Sequence, residues 1–424
     1  MITRRRFVES LVAGAASISL ASCALPRPPR AAPGKRDGRP NFVVILADDL
    51  GRECLGSYGG TSYATPGLDR LASQGMRFER CFAMPMCHPS RTTLLTGRYP
   101  FRTNARWGTL PESEITFGQV LEQAGYATAL SGKWQMAVLK DDPGHVARSG
   151  FATSACWGWR EGERYWQPVI WVDGELRPDL AARYGPDVHT EFLIDFMSAH
   201  REAPFLAFWP ATLPHFSRVG ADASPGAALA SYTEMVEELD FQVRRLVDTL
   251  DRLGLAEDTL VLFTADNGTP GRVVSKLGER EIRGGKSTLT DAGTHVPLLA
   301  RWPGVVPAGS VCPALVDLSD FLPTLADLAR APLPEGVVLD GRSFAPLLRG
   351  QPGAERAWVH GAWSGQAYLR GVRWKLYASG ELFDLDADPD EQAPLLAPTD
   401  SPESAAARAE LGAALTQLMD SSPS

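Results

Sequence analysis

The segment CHPSRTTLLTGR, Cys87 to Arg98, places a cysteine, a proline, a serine and an arginine within five residues and follows them with a run able to form a helix. A group at a helix N-terminus faces exposed backbone N–H groups and the positive end of the dipole, which favour negative charge developing there. Arg91 lies one turn further on and can point back at the same spot. From these residues alone, Cys87 reads either as a buried structural thiol or as a cysteine nucleophile of lowered pKa. A thiol nucleophile needs a base beside it. His88, adjacent in sequence, would point elsewhere on a helix.

Other reactive types sit where apolar runs end. NFVVILA runs into Asp48 and Asp49, and TLVLFTA into Asp266 and Asn267. YATAL leads to Lys133, Trp134 and Gln135, and FLAFWPATLP leads to His215. In an open parallel sheet, ligands bind beyond the carboxyl ends of the strands, so these groups are expected on one rim. Asp48, Asp49, Asp266 and Asn267 form an all-oxygen set. Hard oxygen ligands suit Ca²⁺ or Mg²⁺ and fit Zn²⁺ poorly.

The elements that must position these groups alternate along the chain. TPGLDRLASQG has Thr65 as N-cap, proline at the first helical position and glycine as a stop, and reads as a helix. TFGQVLEQAG, DVHTEFLIDFMSAHR and SYTEMVEELDFQVRRLVDTLDRLG also read as helices, the last with apolar residues at three- and four-residue spacing. Strands without internal polarity, separated by helices, predict an α/β domain over residues 40–350: a large, mostly parallel sheet sandwiched by helices. Residues 351–424 change texture. AWVHGAW, QAYLRGV, WKLYAS and ELFDLD predict a small antiparallel sheet, and SPESAAARAELGAALTQLMD a closing helix capped from Ser401 or Ser404.

The chain has 424 residues, a net charge of −8 and 44% hydrophobic content. The acidic balance argues against a nucleic-acid partner. Attraction for an anion must come from local cations. Residues 1–23 read as an address: TRRRF resembles a twin-arginine export signal, and LASC a lipoprotein cleavage box with Cys23 as the acylated residue. An ordinary cleaved signal with an incidental Cys23 is the alternative. Residues 24–39 read as a Pro-rich tether. The expected location is the periplasm or cell envelope, with the membrane reached only through the lipid. Cargo that folds before export does so in reducing surroundings, so Cys54, Cys81, Cys156 and Cys312 are expected as buried thiols.

CHPSRTTLLTGR resembles the signature of the type I sulfatases, of the alkaline phosphatase superfamily. The resemblance extends through NFVVILADDLG, ATPGLDRLASQGMRFERCFA, GYATALSGKW, TADNG and RGGKSTLTDAGTHVPLLARWPG to KLY…ELFDLDADPDE, nearly the whole mature chain. It implies a sulfuric ester hydrolase in which Cys87 is converted to formylglycine by a formylglycine-generating enzyme, with Pro89, Ser90 and Arg91 partly a label for that enzyme. It implies that the hydrated aldehyde attacks sulfur with one hydroxyl and expels sulfate with the other. It carries Asp48, Asp49, Asp266 and Asn267 over as Ca²⁺ ligands, with modified Cys87 alongside. Arg91 is implied to hold the formylglycine, Lys133 to be the lysine of a Gly-Lys-Trp loop, His215 to meet the leaving-group oxygen, and Lys286 to bind a sulfate oxygen.

The chain departs from the family pattern at Gln135, where that loop usually carries histidine. Glutamine can bind substrate by hydrogen bonds but cannot accept a proton at neutral pH. His295, in AGTHVP, reads as a packed loop residue and not as its replacement. Two rival functions stand beside the sulfatase reading: a formylglycine-dependent phosphonate or phosphodiester hydrolase, and a catalytically silent surface binding protein. The resemblance implies a sulfate-ester substrate, and the sequence leaves a sulfated carbohydrate and an aryl sulfate both open. Trp157, Trp159, Trp166 and Trp171 lie in CWGWREGERYWQPVIW, where they either shape a substrate site or form a loop core.

Overall fold

A computed structural model describes residues 37–215, 232–353 and 355–421. The signal, Cys23 and tether residues 24–36 lie outside the described residues. The strands in chain order are β1 (Asn41–Ala47), β2 (Met76–Phe82), β3 (Ala127–Lys133), β4 (Thr153–Trp157), β5 (Ile170–Val172), β6 (Glu175–Leu176), β7 (Phe205–Pro210), β8 (Thr259–Ala265), β9 (Val274–Leu277), β10 (Arg280–Arg283), β11 (His295–Arg301), β12 (Ser310–Asp317), β13 (Val359–Trp363), β14 (Gln366–Arg370), β15 (Trp374–Tyr377) and β16 (Leu382–Asp384). Ten of them form one sheet in the order β12-β2-β11-β8-β1-β7-β3-β4-β5-β6.

Every residue of β1, β3, β7 and β8 is buried, so both faces of the sheet are covered there. The helices Pro66–Ser73, Gly185–Ala199 and Tyr232–Arg252 form one packed group, and Cys87–Thr96, Phe117–Gln123 and Phe321–Leu328 a second. The central strands β8, β1, β7, β3 and β4 run parallel. β11 runs antiparallel to both β8 and β2. The reason lies in the connection from β8, which holds the β9–β10 hairpin and the one-turn helix Asp291–Thr294 but no crossover helix to return the chain to the starting edge. His295 is the first residue of β11, buried against the Phe82 ring, where the sequence suggested a loop.

Local signals act as expected at some helix ends and not at others. Thr116 and Gln119 form a reciprocal capping box. Ser401 caps the last helix by accepting from the Ser404 N–H. Thr65 stands at its helix start but does not cap it with its side chain. Asp240 reaches over from the long helix and accepts from the Gly67 and Leu68 N–H groups instead. The five described cysteines are buried free thiols. No helix among the described residues is long and apolar enough to cross a membrane.

β13–β16 form the small antiparallel sheet, covered by the helix Pro402–Asp420 through Leu411, Leu415 and Leu418. The same apolar cluster takes in Met84 and Tyr99, which flank the helix Cys87–Thr96. A polar tie runs to the Gly284–Thr294 segment. Lys375, on β15, is fully buried and donates to the Leu289 carbonyl at 2.6 Å, to Glu391 at 2.8 Å and to Asp291 at 3.3 Å. Arg370, on β14, adds a 3.1 Å bond to Asp291. Burial works against the charge on Asp291, but Arg370 and Lys375 outweigh it and hold the carboxyl well below its usual range. Lys375→Met leaves Asp291 and Glu391 without this cation. It should cost about 3–5 kcal/mol in the range known for broken buried pairs, read by chemical denaturation.

Candidate active site

The parallel register of β1 and β8 pairs Ala47 with Ala265, so Asp48 and Asp266 leave adjacent strands side by side. The chain then interlocks: the Asp49 N–H donates to Asp266 Oδ1 at 3.1 Å, and the Leu50 N–H to the Asn267 carbonyl at 3.0 Å. Asp49 has φ of 72°, a left-handed conformation that aspartate tolerates and that turns its carboxylate inward beside Asn267 Nδ2, 2.8 Å away. Tyr232 fixes the turn by donating to the Asp49 carbonyl at 2.6 Å.

Cys87 begins its helix beneath this rim. Its Sγ lies 3.3 Å from Asp48 Oδ1 and 3.7 Å from Asp49 Oδ1. One donor atom from each of Asp48, Asp49, Cys87 and Asp266 falls within 4.8 Å of the others. Arg91, one helical turn on, grips Asp266 Oδ2 through Nε at 2.9 Å and Nη2 at 2.7 Å, and its Nη1 donates to the Lys133 carbonyl at 3.1 Å. Lys133 donates to Asp48 at 2.7 Å. Gly132 makes this approach feasible: its φ is 135°, and a Cβ there would meet the Pro210 carbonyl oxygen at 2.1 Å. Lys286 reaches Asp49 at 2.5 Å. Neither lysine is a solvated surface charge.

These surroundings decide between the two readings of the thiol. Burial, then the charges of Asp266 and Asp48, push the Cys87 thiol well above its ordinary value, against Lys133 and Lys286. His88 is committed elsewhere, with Nε2 against the Thr109 carbonyl at 3.2 Å. A thiol whose pKa is raised by burial and by neighbouring carboxylates does not match a cysteine nucleophile of lowered pKa.

The residues fit a hard cation. Burial and neighbouring Asp48 push Asp266 up to about 6, in spite of Arg91. Asp48 itself is held well below its usual range: burial opposes this, and Lys133, His215, Arg91 and Lys286 outweigh it. The Asn267 Oδ1 is fully buried and has no hydrogen-bond partner among the described residues. A lone amide oxygen beside three buried carboxylates is a donor set for Ca²⁺ or Mg²⁺.

His215 follows β7, with Nε2 3.7 Å from Asp49 Oδ2. Arg164, which the sequence reading passed over, places Nη1 2.9 Å from His215 Nδ1. A guanidinium only donates, so Nδ1 accepts and the neutral ring carries its hydrogen on Nε2, facing the carboxylates. Burial pulls the imidazole down to about 4, with Asp49 and Asp48 opposing and Lys133 and Arg164 assisting, so it is neutral at pH 7. The only sequence-level signal for Arg164 was its place in the Trp-rich stretch. Gln135 is buried with φ of 56°, and its Oε1 has no hydrogen-bond partner among the described residues.

The four tryptophans of that stretch divide. Trp157 is buried in β4 and donates to the Gly162 carbonyl, Trp166 packs on Tyr184, and Trp171 donates to Glu161. Trp159 turns toward Trp107, which is 43% exposed.

Calcium should raise the melting temperature of the chain, by a stabilisation of about 2.7 kcal/mol at a hundredfold excess over Kd. Asp266→Ala should abolish that gain. Asp266 has a raised pKa in the fold, so without the cation its contribution to stability is lost as pH rises through about 6. Binding requires the ionised carboxylate, so the calcium-dependent gain should grow over the same interval. Thermal melts at pH 5 and pH 7, with and without calcium, read both effects.

A family model for sulfatase matches residues 40–331, and one for the C-terminal part of N-sulphoglucosamine sulphohydrolase matches residues 285–421. Mouse steryl-sulfatase is 33% identical over 432 residues, covering 79% of this chain and 69% of the relative. Human arylsulfatase A is 35% identical over 349 residues, covering 73% and 68%. Among solved structures, Ps i-CgsB in complex with k-i-k-neocarrahexaose has a TM-score of 0.77 at 23% identity, covering 90% of this chain and 92% of that one. An enzyme solved with its substrate D-glucosamine-2-N,6-O-disulfate has a TM-score of 0.74 at 21% identity, covering 90% and 98%. The two structural likenesses speak for the fold, and the family match and the curated relatives for the activity: the chain belongs to the type I sulfatases of the alkaline phosphatase superfamily, hydrolases of sulfate esters.

Proposed function

We propose that the sulfatase reaction of this chain runs on a formylglycine made from Cys87 beside a Ca²⁺ held by Asp48, Asp49, Asp266 and Asn267. The observation that carries this reading is the Cys87 sulfur 3.3 Å from Asp48, at the focus of the carboxylates, where burial and then the Asp266 charge push a thiol's pKa up, away from that of a cysteine nucleophile. As formylglycine, residue 87 supplies a hydrated aldehyde with two hydroxyls, one to take the sulfuryl group and one to release it. A bound Ca²⁺ supplies positive charge to the sulfuryl oxygens. Three carboxylates and three cations, Arg91, Lys133 and Lys286, balance on their own. A dication therefore leaves a local surplus of two, matched by one negative charge on a sulfate ester and one on an ionised nucleophile.

The chain's own groups then have separable tasks. Arg91 ties residue 87's helix to Asp266 and the end of β3, which fixes where the nucleophile stands. Lys133 and Lys286 release their carboxylates to the cation and turn their ammonium groups to the sulfuryl oxygens. His215 presents Nε2–H to the bridging oxygen, and Arg164 keeps it in that tautomer. Gln135 contributes a hydrogen-bonding amide and no proton acceptor.

The substrate class in this reading is a sulfated carbohydrate. The support is the carbohydrate ligands bound by the two structural neighbours. The further parts of the reading are modification by a formylglycine-generating enzyme, export by the twin-arginine signal and anchoring through lipid on Cys23, which lies outside the described residues.

Two measurements test this function. In chain produced beside a formylglycine-generating enzyme, the Cys87 peptide should weigh about 18 Da less than the thiol form, and activity should track that fraction. Full activity from the unmodified thiol overturns the reading. His215→Ala should slow sugar sulfates, whose leaving oxygen gathers negative charge that the Nε2–H hydrogen bond offsets, by roughly 10²–10³-fold, and 4-nitrophenyl sulfate far less. Arg164→Met should steepen the dependence on leaving-group pKa in the same direction, with a smaller loss. Equal losses across all leaving groups would remove His215 from this role.

A further inference from the structure

Three tryptophans from distant parts of the chain converge beside the residue that follows Cys87. Trp107, 43% exposed, lies 5.6 Å from the His88 ring, 6.2 Å from Trp159 and 6.0 Å from Trp363, ring centre to ring centre. Trp159 stands two residues beyond Trp157, whose register partner on β3 is Lys133, so it rises from the same rim as the reactive lysine. Trp363 ends β13 of the small sheet.

The backbone under this cluster is shaped for it. Trp159 has φ of 69°, a left-handed conformation rarely held by a bulky residue. Its ring lies against Gly108, where φ is 79° and an added Cβ would come within 2.1 Å of the indole. Trp363 precedes a two-residue turn, Ser364 and Gly365, with φ of 52° and 79°, and pairs across it with Gln366. Positive φ at both central residues is the rigid hairpin turn that follows the strand twist. Such strain persists only where the surroundings over-determine it, and it gathers at ligand-binding sites.

The surface is aromatic and cationic together. Arg160 stacks over Trp159 at 4.3 Å, and Arg106 is exposed next to Trp107. In a chain of net charge −8, two cations among indoles mark a place for an anion with an apolar face. An isolated aryl or steroid group is recognised by enclosure. This platform is open, flanked by charge and by the exposed amide of Gln366, which suits a sugar ring bearing sulfates and hydroxyls.

We infer that Trp107, Trp159 and Trp363, with Arg106, Arg160 and Gln366, form a subsite for the sulfated sugar adjoining the one that carries the scissile ester, so that the enzyme acts on oligosaccharides in preference to monosaccharides. The inference rests on the proposed sulfated-carbohydrate reading and extends it to a chain of sugars.

Titration calorimetry on the full chain carrying Cys87→Ala tests it, with carrageenan and chondroitin sulfate tetrasaccharides, glucosamine 6-sulfate and a steroid sulfate as probes. At least one tetrasaccharide should bind about tenfold more tightly than the monosaccharide, and Trp107→Ala or Trp363→Ala should remove most of that difference. Trp107→Phe should retain most of it, which separates loss of the ring from loss of the fold. No tetrasaccharide advantage, an equal loss on all probes, or a preference for the steroid that vanishes with Trp107 overturns the subsite. Residual turnover of sulfate esters by Cys87→Ala would instead sink the formylglycine mechanism, leaving the affinities to judge the platform.

Discussion

Three carboxylates pressed into one dry spot repel one another, and the architecture around them answers that repulsion. Asp48 and Asp266 are neighbours because β1 and β8 are parallel and in register, and Asp49 joins them through a left-handed turn. Each has its cation: Lys133 on Asp48, Lys286 on Asp49 and Arg91 on Asp266. These cations come from a strand end, a loop and a helix that have no other reason to meet. The helix that carries Arg91 also carries Cys87, so the balancing charge and the reactive position move as one body. Under the proposed function, the same groups that hold the ion-free fold neutral would also surround the substrate's sulfate.

The small antiparallel sheet takes part in this arrangement at a distance. Lys375 and Arg370 anchor Asp291, five residues beyond Lys286, and the apolar side of the sheet meets Met84 and Tyr99 on either flank of the Cys87 helix. One subdomain therefore braces two of the three cation-bearing segments. Arg356 does similar work below the helix, pairing with Asp317 and Asp320 at the end of β12 and reaching the Tyr99 hydroxyl.

Much of the site was legible because its chemistry follows from local sequence and one topological rule. Apolar runs ending in Asp48-Asp49 and Asp266-Asn267 place acids on a strand rim wherever the strands are parallel, and the twelve-residue signature marks the helix that faces them. What depended on long-range placement was not legible. Nothing in the sequence links Trp107 and Trp363 to Trp159, because they meet only once the small sheet has docked. Arg164 sits in a loop whose path is set by Tyr165 bonding to the carbonyls of Thr212 and His215, a contact without a sequence pattern. The reversed β11 escaped for a related reason: apolar runs show burial on both sides but not direction. Thr65 carried every mark of a capping residue and lost that place to Asp240, supplied by another helix.

All ten residues of the helix Cys87–Thr96 are buried, and Cys87 is 3% exposed. A second enzyme cannot grip such a stretch once it is folded, because a peptide must be extended to enter another protein's active site. Under the proposed chemistry, residue 87 is therefore altered while the chain is still open, and folding closes the opportunity. The number of working molecules is then set by a race between collapse and modification, a matter of rates and not of equilibrium stability. Two chains of identical final fold can differ in activity solely by how quickly that helix was sealed, and a substitution that speeds its burial yields a sounder structure and fewer competent enzymes.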